Sequence, residues 1–180
     1  RELKSPIMLF VGRIEKAKNL EAFLKMKSPG TKVLIGDGTQ KSALEGQFKE
    51  AVFLGGMPRE ELPKYFASAD LFVTPSLSET FGLTVLEASA SGVFVLGFDA
   101  QGINNAMTSP TAGVLVPPVP NDVEQAARHL DEGYQKVMEL KKKYPGPSEP
   151  RRHAEANSVE SSLVRLLFSQ VPIEEDQEKR

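Results

Sequence analysis

Leu71-Phe72-Val73-Thr74-Pro75-Ser76-Leu77-Ser78-Glu79-Thr80-Phe81-Gly82-Leu83-Thr84-Val85-Leu86-Glu87-Ala88-Ser89-Ala90-Ser91-Gly92 changes periodicity part-way along. Leu71 to Thr74 is a short apolar run that reads as a buried strand, and from Gly82 the spacing is helical, with Leu83, Leu86 and Ala90 expected on the inner face. Glu79 then lies in the loop at the strand's carboxyl end, and Glu87 about five residues into the helix, roughly 7 to 8 Å along its axis. Between them is a helix N-terminus, whose free N–H groups and positive dipole end form an anion site. Carboxylate, anion site, carboxylate is an order that fits a nucleotide-sugar. Hexose hydroxyls would meet Glu79, the diphosphate the helix start, and ribose hydroxyls Glu87. The competing reading is an ordinary polar loop residue and a solvated helix glutamate.

The rest of the 180 residues repeats the strand-then-helix pattern. Apolar runs Ile7 to Val11, Lys32 to Ile35, Val52 to Leu54, Phe94 to Gly97 and Gly113 to Val116 read as five further strands. Helices are expected at Asn19 to Lys27, with Leu20, Phe23 and Leu24 inward, at Lys41 to Phe48, and at Glu60 to Ala69, where Pro63 is tolerable in the first turn. One helical turn is expected at Asn104 to Met107, and a long helix at Asp122 to Lys143 capped by Asn121 or Asp122. Such alternation predicts the α/β class, a doubly wound parallel sheet of Rossmann-like kind. With strand order 3-2-1-4-5-6 the first and fourth strands are neighbours at the switch point, where ligands bind at the carboxyl ends. That brings the loop Gly12 to Lys18 beside the loop Pro75 to Phe81. Residues 1–150 are expected to be the ligand-binding domain and residues 151–170 a C-terminal helix packing on it or on a missing N-terminal domain. Residues 171–180 read as a charged, disordered tail.

Composition removes several function classes. The net charge of −2 argues against general nucleic-acid affinity. With no cysteine there is no disulfide framework, thiolate metal site or cysteine nucleophile. No apolar run is long enough for a membrane span and Arg1 to Pro6 lacks a signal-peptide core, so a cytoplasmic location is expected. The abrupt start, with a strand beginning at Ile7, suggests a domain cut from a longer polypeptide. Lys136 to Lys143 with Arg151 and Arg152 is the basic cluster, read as a solvated helix end with peripheral contact to anionic lipid as the alternative.

Arg13 and Lys18 place a guanidinium and an ammonium after the first strand, where both can converge on a diphosphate. A diphosphate leaving group needs its charge neutralised by a divalent metal or by protein cations. The chain has no Asp-x-Asp pair or His cluster, so no metal is expected and the cations fall to Arg13 and Lys18. Gly36-Asp37-Gly38 is a weak fragment of a dinucleotide fingerprint, read as a turn with backbone close to the nucleotide. Gly55-Gly56-Met57 offers main-chain groups that could reach a base.

Taken in order, Gly12-Arg13 with Lys18-Asn19-Leu20, Val33 to Gly38, Phe53-Leu54-Gly55, Glu61-Leu62, Ala69 to Ser76, the E-x7-E motif from Glu79 to Glu87, and Gly113 to Pro117 resemble a known pattern. It is that of the C-terminal, donor-binding domain of retaining GT-B glycosyltransferases, the glycosyl transferases group 1 (family 4). The resemblance implies a hexose transfer from a UDP- or GDP-linked donor, with retention and without a bound metal or other cofactor. It gives Arg13 and Lys18 to the diphosphate, Glu79 to the hexose and Glu87 to the ribose. Main-chain groups of Phe81, Gly82, Leu83 and Thr84 would cradle phosphate and hexose, with Gly12, Gly55 and Gly56 close to the nucleotide. The acceptor, a lipid or glycan hydroxyl, would be held by the missing N-terminal domain, possible contact with the cytoplasmic face of a membrane accompanying a lipid. Phe94 stands where the family usually has Pro, and Gly102-Ile103-Asn104-Asn105 lacks a customary acidic residue. Two alternatives stay open: a non-catalytic nucleotide-sugar-binding or interaction domain, and a GT-B-type epimerase or phosphorylase.

Overall fold

A computed structural model describes residues 3–107 and 111–144 of the chain. The expectations for residues 145–180, including the C-terminal helix and the tail, lie outside the described residues. Strand β1 is Ile7–Val11, helix α1 Leu20–Leu24, β2 Thr31–Ile35, α2 Lys41–Gln47 and β3 Val52–Phe53. Helix α3 is Leu62–Ser68, β4 Leu71–Thr74, α4 Leu83–Ala90 and β5 Val95–Phe98. The short α5, Ile103–Ala106, then β6, Gly113–Val116, and α6, Val123–Lys143, complete the described chain. Single 3-10 turns precede α1, at Lys16–Lys18, and α3, at Arg59–Glu61.

All six strands are parallel, in the order β3-β2-β1-β4-β5-β6. This is the expected Rossmann-like doubly wound sheet, and it places β1 next to β4. The central strands are apolar along their whole length because helices cover both faces: Leu71, Phe72 and Val73 of β4 are fully buried. Phe66 of α3 meets Phe72 edge-on at 5.5 Å, a geometry that ring quadrupoles favour. Helices α1 and α6 pack together, while α3, α4 and α5 pack in series.

Helix α6 joins the two ends of the chain. Asp122 caps it by accepting a hydrogen bond from the Gln125 N–H, as expected of an Asp at that position. Gly133 lets its middle lie directly on the sheet, since a Cβ there would press on Leu96 and Val116. Its polar side is pinned to the first third of the chain. Glu124 takes the Lys25 ammonium at 2.8 Å, and Asp131 accepts from the N–H groups of Lys27 and Ser28 at 3.0 and 2.8 Å. Near its end Lys141 reaches Asp70 at 2.5 Å, and Asp70 also accepts from the Ile7 N–H at 2.8 Å.

Four local expectations change. Helix α1 is shorter than Asn19 to Lys27: Asn19 takes a left-handed conformation between the 3-10 turn and the helix, and the helix ends at Leu24 with Lys25 as its C-cap. Its inner face is as expected, with Leu20, Phe23 and Leu24 buried. Strand β5 lies one residue later, so Phe98 belongs to it and Phe94 precedes it; both are buried, which hides the boundary from a burial pattern. The turn α5 likewise begins one residue early, at Ile103. The largest correction is Leu83. It is 40% exposed, whereas Leu86 and Ala90 are buried as expected, together with Val85, Glu87, Ala88 and Ser89.

Candidate functional site

The strand order brings the loop after β1 and the loop after β4 to the same edge of the sheet. The Lys18 ammonium donates to Glu79 Oε1 at 2.7 Å, with the two side chains only 17% and 19% exposed. Lys18 ends the 3-10 turn and Asn19 N–H closes that turn on the Lys16 carbonyl. Glu79 is fixed through its backbone, its N–H donating to the Gln101 carbonyl at 2.9 Å. Gly102, at a φ of +82°, is the reason this loop can come so close, because any Cβ there would collide with the Glu79 carbonyl. The loop after β5 is therefore the back wall of the site, a contribution that the spacing of residues did not disclose.

Gly82 enters α4 in a left-handed conformation, and its carbonyl accepts from the N–H groups of Val85 and Leu86. Leu83 and Thr84, in the first turn, have no backbone acceptor within the helix, which leaves their N–H groups as anion donors. Phe81, 73% exposed, stands in front of this turn while Gly82 is buried in it. Beneath the loop the Ser76 hydroxyl is buried without a hydrogen-bond partner among the described residues.

Glu87 is not the solvated helix glutamate of the competing reading. It is 7% exposed and bonds through Oε1 to the Arg59 guanidinium, which comes from the turn before α3. Burial pushes its carboxyl above the ordinary glutamate value, and the charge and hydrogen bond of Arg59 oppose that rise without cancelling it. Arg59 was not among the candidates. A buried carboxylate on α4 calls for a cation, but the partner lies 28 residues upstream and no periodicity connects the two.

The other candidates stand apart. Arg13 is three-quarters exposed and pairs with Glu15 at 3.2 Å, so it joins neither Lys18 nor Glu79. The Gly12 N–H donates to the Ile35 carbonyl at 3.0 Å. Two of the main-chain groups around the Gly55-Gly56-Met57 turn are bonded within the domain: the Gly55 carbonyl accepts from the Gly36 N–H at 2.8 Å, and the Gly56 N–H donates to the Asp37 carboxylate at 2.6 Å. Asp37 also takes the Lys41 ammonium at 2.8 Å, and these two hydrogen bonds, Lys41 first, hold its carboxyl below the usual range. The Gly36-Asp37-Gly38 turn thus ties loops to one another. Among the described residues no cluster of three or more His, Asp or Glu side chains could hold a metal ion.

The chain and its fold have known counterparts. A family model described as glycosyl transferases group 1 matches residues 1–144. The chain belongs to that family. Among curated members it is 41% identical over 117 residues to the sulfoquinovosyl transferase SQD2 of Arabidopsis thaliana, covering 62% of this chain and 23% of that protein. It is 36% identical over 114 residues to the GDP-mannose-dependent alpha-mannosyltransferase of Mycobacterium tuberculosis, covering 62% and 30%. The chain therefore spans under a third of the length of these group 1 relatives. Two solved structures share the fold. The pneumococcal O-GlcNAc transferase GtfA, in complex with UDP and GlcNAc, superposes with a TM-score of 0.68 at 20% identity over 93% of this chain and 36% of that one. WaaG, a glycosyltransferase involved in lipopolysaccharide biosynthesis, does so with a TM-score of 0.66 at 19% identity over 91% and 47%. No described helix of this group 1 domain is long and apolar enough to cross a membrane.

Proposed function

We propose that this domain binds the nucleoside-diphosphate-sugar donor of a retaining, metal-independent hexosyltransferase of family 4. A further domain, in the same chain or a partner, holds the lipid or glycan acceptor. The observation that carries the reading is the Lys18–Glu79 contact at the β1/β4 switch point beside the start of α4. In the bound state Lys18 turns from Glu79 to the diphosphate, and the N–H groups at the start of α4 face the same oxygens. Arg13 leaves Glu15, an exposed pairing of small energy, to join them. Glu79 then accepts from hexose hydroxyls and Glu87 from the ribose. The donor's leaving group is stabilised by these two protein cations and by backbone dipoles. Two relatives support a nucleotide-sugar donor, one being GDP-mannose-dependent and one structural neighbour holding UDP with GlcNAc.

The enzyme is placed in the cytoplasm. Where its acceptor is a lipid, the lysines that end α6 supply a peripheral membrane contact. Calorimetric titration of the 180-residue chain with UDP, GDP and their sugar esters, with and without chelator, tests the reading. Binding that is unchanged by chelator and weakens with salt is expected. A strict requirement for magnesium or manganese, or no binding of either nucleotide, overturns it.

A further inference from the structure

Arg59 touches one oxygen of Glu87 and leaves the other, Oε2, without a partner among the described residues. The contact is set in an apolar cleft, where Leu62, Pro63 and Phe66 come from the α3 side and Ala90 from α4. No second charge faces Glu87 from either helix, so its ionisation and direction depend on one guanidinium. Arg59 itself is more than half exposed, and among the described residues Glu87 is the partner of its guanidinium.

We propose that Arg59 is a positioning residue that holds the Glu87 carboxylate ionised and turned toward the ribose of a bound nucleotide; this rests on the reading of Glu87 as the ribose contact. One guanidinium nitrogen holds the carboxylate through Oε1 and leaves Oε2 to accept from a ribose hydroxyl. A carboxylic acid in the same place could accept only weakly. A cation is needed because burial in an apolar cleft favours the neutral acid. Arg59 thus acts on the nucleotide only through Glu87.

The test compares UDP and GDP with their 2′-deoxy counterparts on the unmodified chain and on Arg59→Ala, Arg59→Lys and Glu87→Gln. Fold is checked by circular dichroism and thermal melting. In Arg59→Ala the ribonucleotide is expected to bind about tenfold more weakly while the deoxynucleotide changes little, so discrimination between them is lost. The acid limb of ribonucleotide affinity should move to higher pH, because Glu87 protonates earlier without its partner. Arg59→Lys should restore part of both effects. Equal losses for ribo- and deoxynucleotide would mean that Arg59 meets a phosphate or base directly, and an unmoved pH profile would make it a surface partner only; either overturns the proposal. If Glu87→Gln binds both nucleotides as the unmodified chain does, the ribose assignment itself fails. If Glu87→Gln weakens the ribonucleotide and Arg59→Ala does not, only the role of Arg59 fails.

Discussion

Lys18 and Glu79, 61 residues apart in the chain, meet at 2.7 Å across the β1/β4 boundary. The cation assigned to phosphate and the carboxylate assigned to hexose therefore neutralise each other when no donor is present. A bare nucleoside diphosphate has to draw Lys18 away and leaves Glu79 facing nothing, whereas a sugar ester supplies partners for both.

Removing the charge at position 79 should consequently separate the two ligands. Glu79→Gln is expected to bind bare UDP or GDP at least as tightly as the unmodified chain, and up to severalfold tighter, since Lys18 is released. The sugar ester should lose about 1 to 3 kcal/mol, the range for a lost hydrogen bond to a charged group. Titration calorimetry with both ligands checks it, and parallel losses would contradict the assignment.

Gly102→Ala puts a methyl group on the Glu79 carbonyl at a backbone conformation that alanine rarely adopts. It is expected to lower stability by about 1 to 3 kcal/mol. The sugar ester should be more affected than the bare nucleotide, because the displaced loop carries Glu79. Urea unfolding and calorimetry on the same sample separate the two effects.

Asp70 gives a pH-dependent handle on the opposite end of the sheet. Burial alone would raise its carboxyl, but the Lys141 hydrogen bond, the Ile7 amide and the Lys141 charge together hold it below its ordinary value. A depressed folded-state value contributes stability above the unfolded carboxylate range and loses it as pH falls through the folded value. Asp70→Asn should therefore cost about 1 to 3 kcal/mol at pH 7, with the gap to the unmodified chain narrowing toward pH 3. Denaturant midpoints across that range measure it. A gap that stays constant would mean that charge is not what Asp70 contributes.

Transfer requires an acceptor hydroxyl aligned with the donor carbon, and such alignment can supply roughly 7 to 11 kcal/mol of the barrier. The described contacts assigned here are all to the donor, and the chain spans well under half the length of the curated relatives it matches. The 180-residue chain alone is expected to bind donor and to show no sugar transfer until an N-terminal Rossmann domain is supplied. A product assay with a panel of donors and acceptors decides this, glycosylated product from the chain alone being the contrary result.

The sheet was legible because each strand is a short apolar run bounded by glycine, proline or a charged turn, and the switch point followed from strand order alone. Leu71 to Thr74, Gly82 and Asp122 were readable for local reasons. The miss at Leu83 has a physical cause: α4 is buried nearly all round at its middle, so its apolar spacing does not single out one face. Arg59 went unread because the pairing runs from the turn before α3 to helix α4, which only tertiary structure brings together. The Gly55 carbonyl and the Gly56 N–H are likewise bonded to Gly36 and Asp37, neighbours in space and not in sequence, contacts that a local reading does not disclose.

Helix α6 is riveted at three heights, to residues near α1 at its start, to β5 and β6 under Gly133, and to Asp70 at its end. Strands laid down first and strands laid down last are thereby coupled through a single rod. Loosening β5 and β6 therefore also loosens the rod's grip on the segments around α1 and at the start of β4. The described domain should for that reason melt as one cooperative unit, with the loops of the donor site lost together with the core and not ahead of it.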